Sequence, residues 1–189
     1  MRPPGKTKNE NLEICILAGG LSQRMGHDKS RLRLGTKTML GIIKHVARSA
    51  GGSVRIIRND LVPRCGPLGG ILTALKTSPA KQILFLACDM PFITVELLRR
   101  LAKARTEGRA MFVRKDDRVG FPFLLPVTAL NIVQLQIEAG DLSLQSLARV
   151  LKGKKVALPR SWSTQLQNIN TPEKFELAKR TWAARKLNQ

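Results

Sequence analysis

Acidic residues are scarce in the first half of the chain. Between residues 14 and 95 the only carboxylates are Asp28, Asp60 and Asp89. In so basic a segment, a retained carboxylate is a candidate for work that only an anion performs. Asp89 directly follows the most apolar stretch of the chain, QILFLAC at 82–88. A single carboxylate at the mouth of a buried strand suits Mg²⁺, which takes one or two carboxylates and completes its shell with water and substrate phosphates. A turn or capping role before Pro91 is the alternative, and spacing alone leaves both open. The second chemical feature is the loop AGGLSQRMGHDK at 18–29. Its adjacent glycines, Gly19 and Gly20, let backbone N–H groups approach a phosphate closely, and Arg24 and Lys29 supply neutralising charge. It is no Walker A loop, because His27 and Asp28 separate Gly26 from Lys29, and no GxGxxG fingerprint.

These groups need elements to position them. Short apolar runs alternate with longer periodic ones, the pattern of parallel strands joined by helices. Strands are expected at 12–18, 54–58, 82–88, 110–114 and 119–125, with further extended segments at 154–158 and 165–169. Helices are expected at 38–50, 67–77, 94–107, 127–139, 144–152 and 172–187. Thr94 and Thr171 are placed as N-caps, Pro172 at the first helical position, and Gly108 as the stop of the fourth-strand-leading helix at 94–107. Asp116 and Asp117 read as a β-turn, with a second metal ligand as the alternative for one of them, and His45 as a surface or packing residue. Ligands of open parallel α/β sheets collect outside the carboxyl ends of the strands, where both the glycine loop and Asp89 fall.

Composition bounds the class. The chain has 189 residues, 43% of them hydrophobic, which matches one α/β domain. Residues 1–11 are expected to form a disordered basic tail and 12–189 a single domain. No apolar run approaches the ~18 residues of a membrane span, and the basic N-terminus lacks the apolar core of a secretory signal. Three cysteines, with no CxxC spacing, imply neither a disulfide framework nor a zinc site; a cytoplasmic location is expected. With 33 Lys+Arg against 13 Asp+Glu, the formal charge is +20, which attracts polyanions without choosing among them. Trp162 and Trp182 are too few and too far apart for a base-stacking platform, so specific nucleic-acid binding is not expected.

LAGGLSQRMGHDK at 17–29 closely resembles the LAGGxSxRMGxDK signature of the molybdenum cofactor guanylyltransferase family. GPLGGI at 66–71 resembles that family's GPLxGI segment, CDMP at 88–91 its CDxP, and NINTPE at 168–173 its NxNTPE. The four motifs occur in the family's order. The resemblance implies a Rossmann-like, three-layer, mostly parallel sheet flanked by helices, of the nucleotide-diphospho-sugar transferase type. It implies an Mg²⁺-dependent transfer of GMP from GTP to molybdenum-bearing molybdopterin with release of pyrophosphate, and transient contact with other cofactor-biosynthesis proteins. Leu17, Ala18, Gly19, Gly20, Lys29, Asp60, Gly66 and Asp89 would bind nucleotide. Arg24, Lys29 and Asp89 would serve catalysis, Asp89 would hold the metal, and Asn168 and Asn170 would face the acceptor or complete the metal shell. The interval 51–65 is shorter than in the family, so the family's strand, short helix and nucleotide-contacting Asn have no clear counterpart, and Asn59 is the alternative to Asp60. The cytidylyl relatives spell the first motif LAAG, so a methyl at Gly19 is expected to cost GTP more than CTP. A transferase using CTP or a sugar phosphate, and a non-enzymatic polyanion-binding protein, are the rival readings.

Overall fold

A computed structural model describes residues 11–19 and 32–187. Its main sheet has six strands: β1 (Leu12–Leu17), β4 (Ser53–Ile57), β5 (Gln82–Ala87), β6 (Met111–Lys115), β7 (Arg118–Pro126) and β8 (Lys154–Ala157). Their order is β4-β1-β5-β7-β6-β8. The pairs β1–β4, β1–β5 and β6–β8 are parallel, and β7 runs antiparallel to both β5 and β6. The mostly parallel sheet flanked by helices bears out the expected architecture.

The strands alternate their side chains between two apolar layers. Cys15, Ile83, Phe85, Phe112, Phe123 and Leu125 pack beneath α2 (Gly66–Thr77), α4 (Leu130–Glu138) and α5 (Leu144–Val150). Ile14, Ile16, Leu84, Leu86, Val113 and Leu124 pack beneath α1 (Met39–Ala50) and α3 (Val95–Ala104). Burial on both faces explains why β5 reads as a continuous apolar run. A third, smaller cluster joins α6 (Pro172–Leu187) to the two-stranded hairpin β2 (Arg33–Leu34) and β3 (Lys37–Thr38) through Leu34, Met39, Phe92, Ile169 and Ala178.

Local signals located most boundaries. Thr94 caps α3 by accepting from Leu97 N–H, and Thr171 Oγ1 accepts from Lys174 N–H. Three expectations need correction. The α3 helix ends at Ala104 instead of residue 107, because Arg105 turns extended; Gly108 serves the following turn at φ +73°. The segment 127–139 is a 3-10 turn (Val127–Ala129) followed by α4. Residues 165–169 are not a strand: Arg160–Leu166 forms 3-10 helix and 167–170 is irregular. The buried Gln165 side chain is turned instead to Thr94, accepting from its N–H at 3.2 Å and its hydroxyl at 2.8 Å. The β2–β3 hairpin was not anticipated, since two-residue strands leave no periodic signal.

Candidate active site

The chain passes from β1 to β4 on one side and from β4 to β5 on the other, so the strand order reverses between β1 and β5. Such a switch point leaves a crevice outside the carboxyl ends of the two strands. Leu17 and Ala87 are paired there, Cys88 N–H donates to Leu17 O at 3.1 Å, and Ala18 N–H donates to Ile57 O at 2.8 Å. These bonds carry Ala18 and Gly19 out over the sheet edge beside Asp89. Gly19 is exposed yet tightly placed: a Cβ there would lie 2.5 Å from Arg58 O. A methyl therefore meets the protein's own backbone before it meets any base, which removes the premise that Gly19→Ala tests base choice. Gly20, Arg24, Asp28 and Lys29 lie outside the described residues.

Asp60 sits over the first turns of α2. A Cβ on Gly69 would come 2.8 Å from Asp60 Oδ2, and one on Gly70 3.3 Å from Oδ1 and 3.1 Å from Leu17 Cδ2. The two glycines of GPLGG thus leave room for the Asp60 carboxylate and the end of β1. Burial pushes the Asp60 carboxyl above the ordinary carboxylate range. Gly66, exposed at φ +54°, opens α2 at this same edge, with Pro67 in the first turn. The interval 51–65 contains β4 and an irregular return only, so the family's extra strand and helix are absent from it.

Asp89 is half-buried at the end of β5, and its backbone oxygen accepts from Ile169 N–H at 2.8 Å. That bond lays NINTPE beside CDMP. Asn168 and Asn170 then line a cavity of about 640 Å³ together with Lys115, Asp116, Arg118 and Lys174. Lys115 and Arg118 flank the turn of the β6–β7 hairpin, where Asp116 adopts φ +54°. In the sequence these residues read as a turn, with a metal-ligand alternative for Asp116 or Asp117 only; no motif marks Lys115, Arg118 or Lys174. The available signal was a charged hairpin tip at the carboxyl edge of the sheet.

The donors suit a hard cation. Asn170 Oδ1 is buried and has no hydrogen-bond partner among the described residues, and Asp89 offers a carboxylate next to the segment that carries it. No group of three or more His, Cys, Asp or Glu able to hold a metal occurs among the described residues. An ion here would rely on few protein oxygens plus substrate, as Mg²⁺ does. Along this edge Asp89 and the buried Asn170 amide oxygen adjoin a cavity lined by Lys115, Arg118 and Lys174, a combination suited to binding a metal-chelated polyphosphate.

Residues 14–158 match the model of the MobA-like NTP transferase domain. The chain belongs to that family. A protein of Opitutus terrae named "Probable molybdenum cofactor guanylyltransferase" is 34% identical to this MobA-like transferase, covering 89% of this chain and 95% of its own. The molybdenum cofactor guanylyltransferase of Pseudomonas putida is 28% identical, covering 86% and 95%. Among solved structures, the molybdopterin-guanine dinucleotide biosynthesis protein A of Archaeoglobus fulgidus superposes with TM-score 0.72 at 20% identity, covering 91% of this chain and 99% of that one. The 2-C-methyl-D-erythritol 4-phosphate cytidylyltransferase of Thermus thermophilus shares the fold at TM-score 0.67 and 13% identity, covering 92% and 99%. The chain is thus a nucleotidyltransferase by family. No helix among the described residues is long and apolar enough to cross a membrane.

Proposed function

We propose that this MobA-like transferase moves GMP from GTP onto the terminal phosphate of molybdopterin carrying molybdate. An acceptor phosphate oxygen attacks the α-phosphorus of GTP, the bond to the β-phosphate oxygen breaks, and pyrophosphate leaves. No protein nucleophile is needed, so the chain's tasks are positioning and charge neutralisation. The observation that carries this reading is the convergence of four distant motifs on one switch-point crevice: residues 17–19, Asp60 with Gly66–Gly70 around it, Asp89, and 168–170. The guanylyltransferase names of the full-length relatives support the choice of GTP and of a molybdopterin acceptor.

Asp89, with Asn170 Oδ1 beside it, would hold Mg²⁺, which when bound neutralises charge on the nucleotide phosphates. The backbone of Leu17, Ala18 and Gly19 would run along the nucleotide, with Gly20, Arg24 and Lys29 continuing toward its phosphates. Asp60, held over α2, would accept from the nucleotide, and Gly66 would let the α2 N-terminus approach it. Lys115, Arg118 and Lys174 would hold the anionic acceptor, with Asn168 orienting it. The test is pyrophosphate release from GTP, CTP, ATP and UTP, with and without a molybdopterin acceptor, in Mg²⁺ and in EDTA. Release from GTP alone, dependent on acceptor and metal and lost in a folded Asp89→Asn variant, is the expected result. Preference for CTP would overturn the guanylyl assignment, and full activity of Asp89→Asn would remove its metal role.

A further inference from the structure

At the edge of the sheet opposite Asp89, the α3–β6 and α5–β8 connections enclose a separate cavity of about 380 Å³. Its lining is Thr106, Arg109, Ala110, Met111, Lys152 and Lys154. Among the described residues, three cations therefore face one concavity and no carboxylate lines it. The nearest acid in sequence, Glu107, is held 3.2 Å from Lys81. We propose that this cleft is a second anion site, taking a compact polyphosphate.

The backbone that carries the cations is fixed. Lys154 N–H donates to Ala110 O at 2.9 Å, which ties the two connections together, and Met111 pairs with Lys154 in the β6–β8 register. From beneath, the buried Gln82 side chain donates to Thr106 O at 2.8 Å and Arg109 O at 3.5 Å. Gly153 is pressed against Phe112, whose ring would lie 2.6 Å from a Cβ at that position. Lys152 itself adopts φ +47°, a left-handed conformation that glycine or asparagine would take more cheaply than a long side chain. Gathering like charges in a fixed concavity is unfavourable until an anion enters, and the anion then gains from all three.

The chemistry of the lining narrows the ligand. Among the described residues no aromatic ring lines the cleft to stack a base, so phosphate oxygens are the determinant. The volume admits a di- or triphosphate with water, and the shape is a cleft rather than a ridge that could follow a duplex groove. Met111, itself only 3% exposed, forms apolar floor and so reports on the site from within.

The full-length chain labelled with ¹³C at its methionine methyls provides the test, with Met111 assigned through Met111→Leu. Sodium tripolyphosphate is titrated without divalent metal at constant ionic strength. The Met111 resonance is expected to shift saturably, and to do so equally in Asp89→Asn. In Lys152→Asn/Lys154→Gln, which keeps the left-handed backbone at 152, the half-saturating concentration should rise about tenfold or more. The other methionine resonances show whether that variant is folded. An unmoved Met111 signal, or identical saturation in the double variant, would overturn the site. Stronger Met111 shifts from duplex DNA than from tripolyphosphate at equal phosphate concentration would overturn the compact ligand.

Discussion

Asp60 carries a conflict between folding and its proposed role in binding. Burial raises its carboxyl pKa in the folded chain, so folding favours the protonated form. Its favourable contribution is complete below the unfolded value near 3.8 and is lost as pH rises through the folded value. Above that window the unliganded protein carries an anion at a cost. Asp60→Asn is therefore expected to raise the Tm of the unliganded chain at pH 7, with the gain shrinking as pH falls through the folded pKa. The same variant should bind nucleotide more weakly, measured by calorimetry. A lower Tm at pH 7 would show that the charge is satisfied in the unliganded state. At Gly19 the close approach of Arg58 O decides the outcome of substitution. Gly19→Ala must displace the 58–60 segment, at roughly 1–3 kcal/mol, and should lower kcat/KM for GTP and CTP alike. A loss confined to GTP would restore the base-reading role. Cys15 is inert by contrast: burial pushes its thiol up to about 12, with Arg55 opposing and Glu13 reinforcing the rise.

Among the elements, the β6–β7 hairpin depends on a side chain from elsewhere. Pairing of β5 with β7 ends at Phe85–Phe123, whereas β7 continues to Arg118 beyond the end of its neighbour. The Gln145 amide of α5 takes the missing place, accepting from Val119 N–H at 2.9 Å and donating to Val119 O at 2.6 Å. Gln145 thereby holds the hairpin tip, with Lys115 and Arg118, at the wall of the larger cavity. Gln145→Ala leaves two buried backbone groups without partners, each worth roughly 1–3 kcal/mol. The expected result is a lower Tm and a raised KM for the acceptor with little change in KM for GTP. An equal rise in both would place the hairpin against the nucleotide instead.

Over the whole molecule, the smallest core cluster among the described residues joins the β2–β3 hairpin to the last helix. Leu34 and Met39 are fully buried against Phe92, Ile169 and Ala178, and Trp182 lies 6.1 Å from the Phe92 ring. The Arg185 guanidinium covers Phe92 at 4.7 Å. The α6 helix thus braces the β2–β3 hairpin, which directly follows the loop carrying Arg24 and Lys29. Trp182→Ala should cost roughly 1–3 kcal/mol in denaturant unfolding and lower kcat for nucleotide transfer, although Trp182 lies in neither cavity. Unchanged kcat in a destabilised variant would confine α6 to a structural role.

Interactions a few residues long were enough to show the strands, most helices and their threonine caps, because the two periodicities and capping geometry are written locally. GPLGG and Asp89 were legible for the same reason, as compact motifs beside strand ends, whereas the glycine loop beyond Gly19 lies outside the described residues. The sequence could not show that Ile169 bonds to Asp89, that Gln165 abandons an extended run for Thr94, or that Lys115, Arg118 and Lys174 share one cavity. Those outcomes join residues far apart in the chain, and only the order in which strands and helices pack determines them. Gly19 shows the difference most sharply. Its type marked a place of close approach, but which atom approaches was decided by the parallel pairing of β1 with β4, which carries Arg58 alongside.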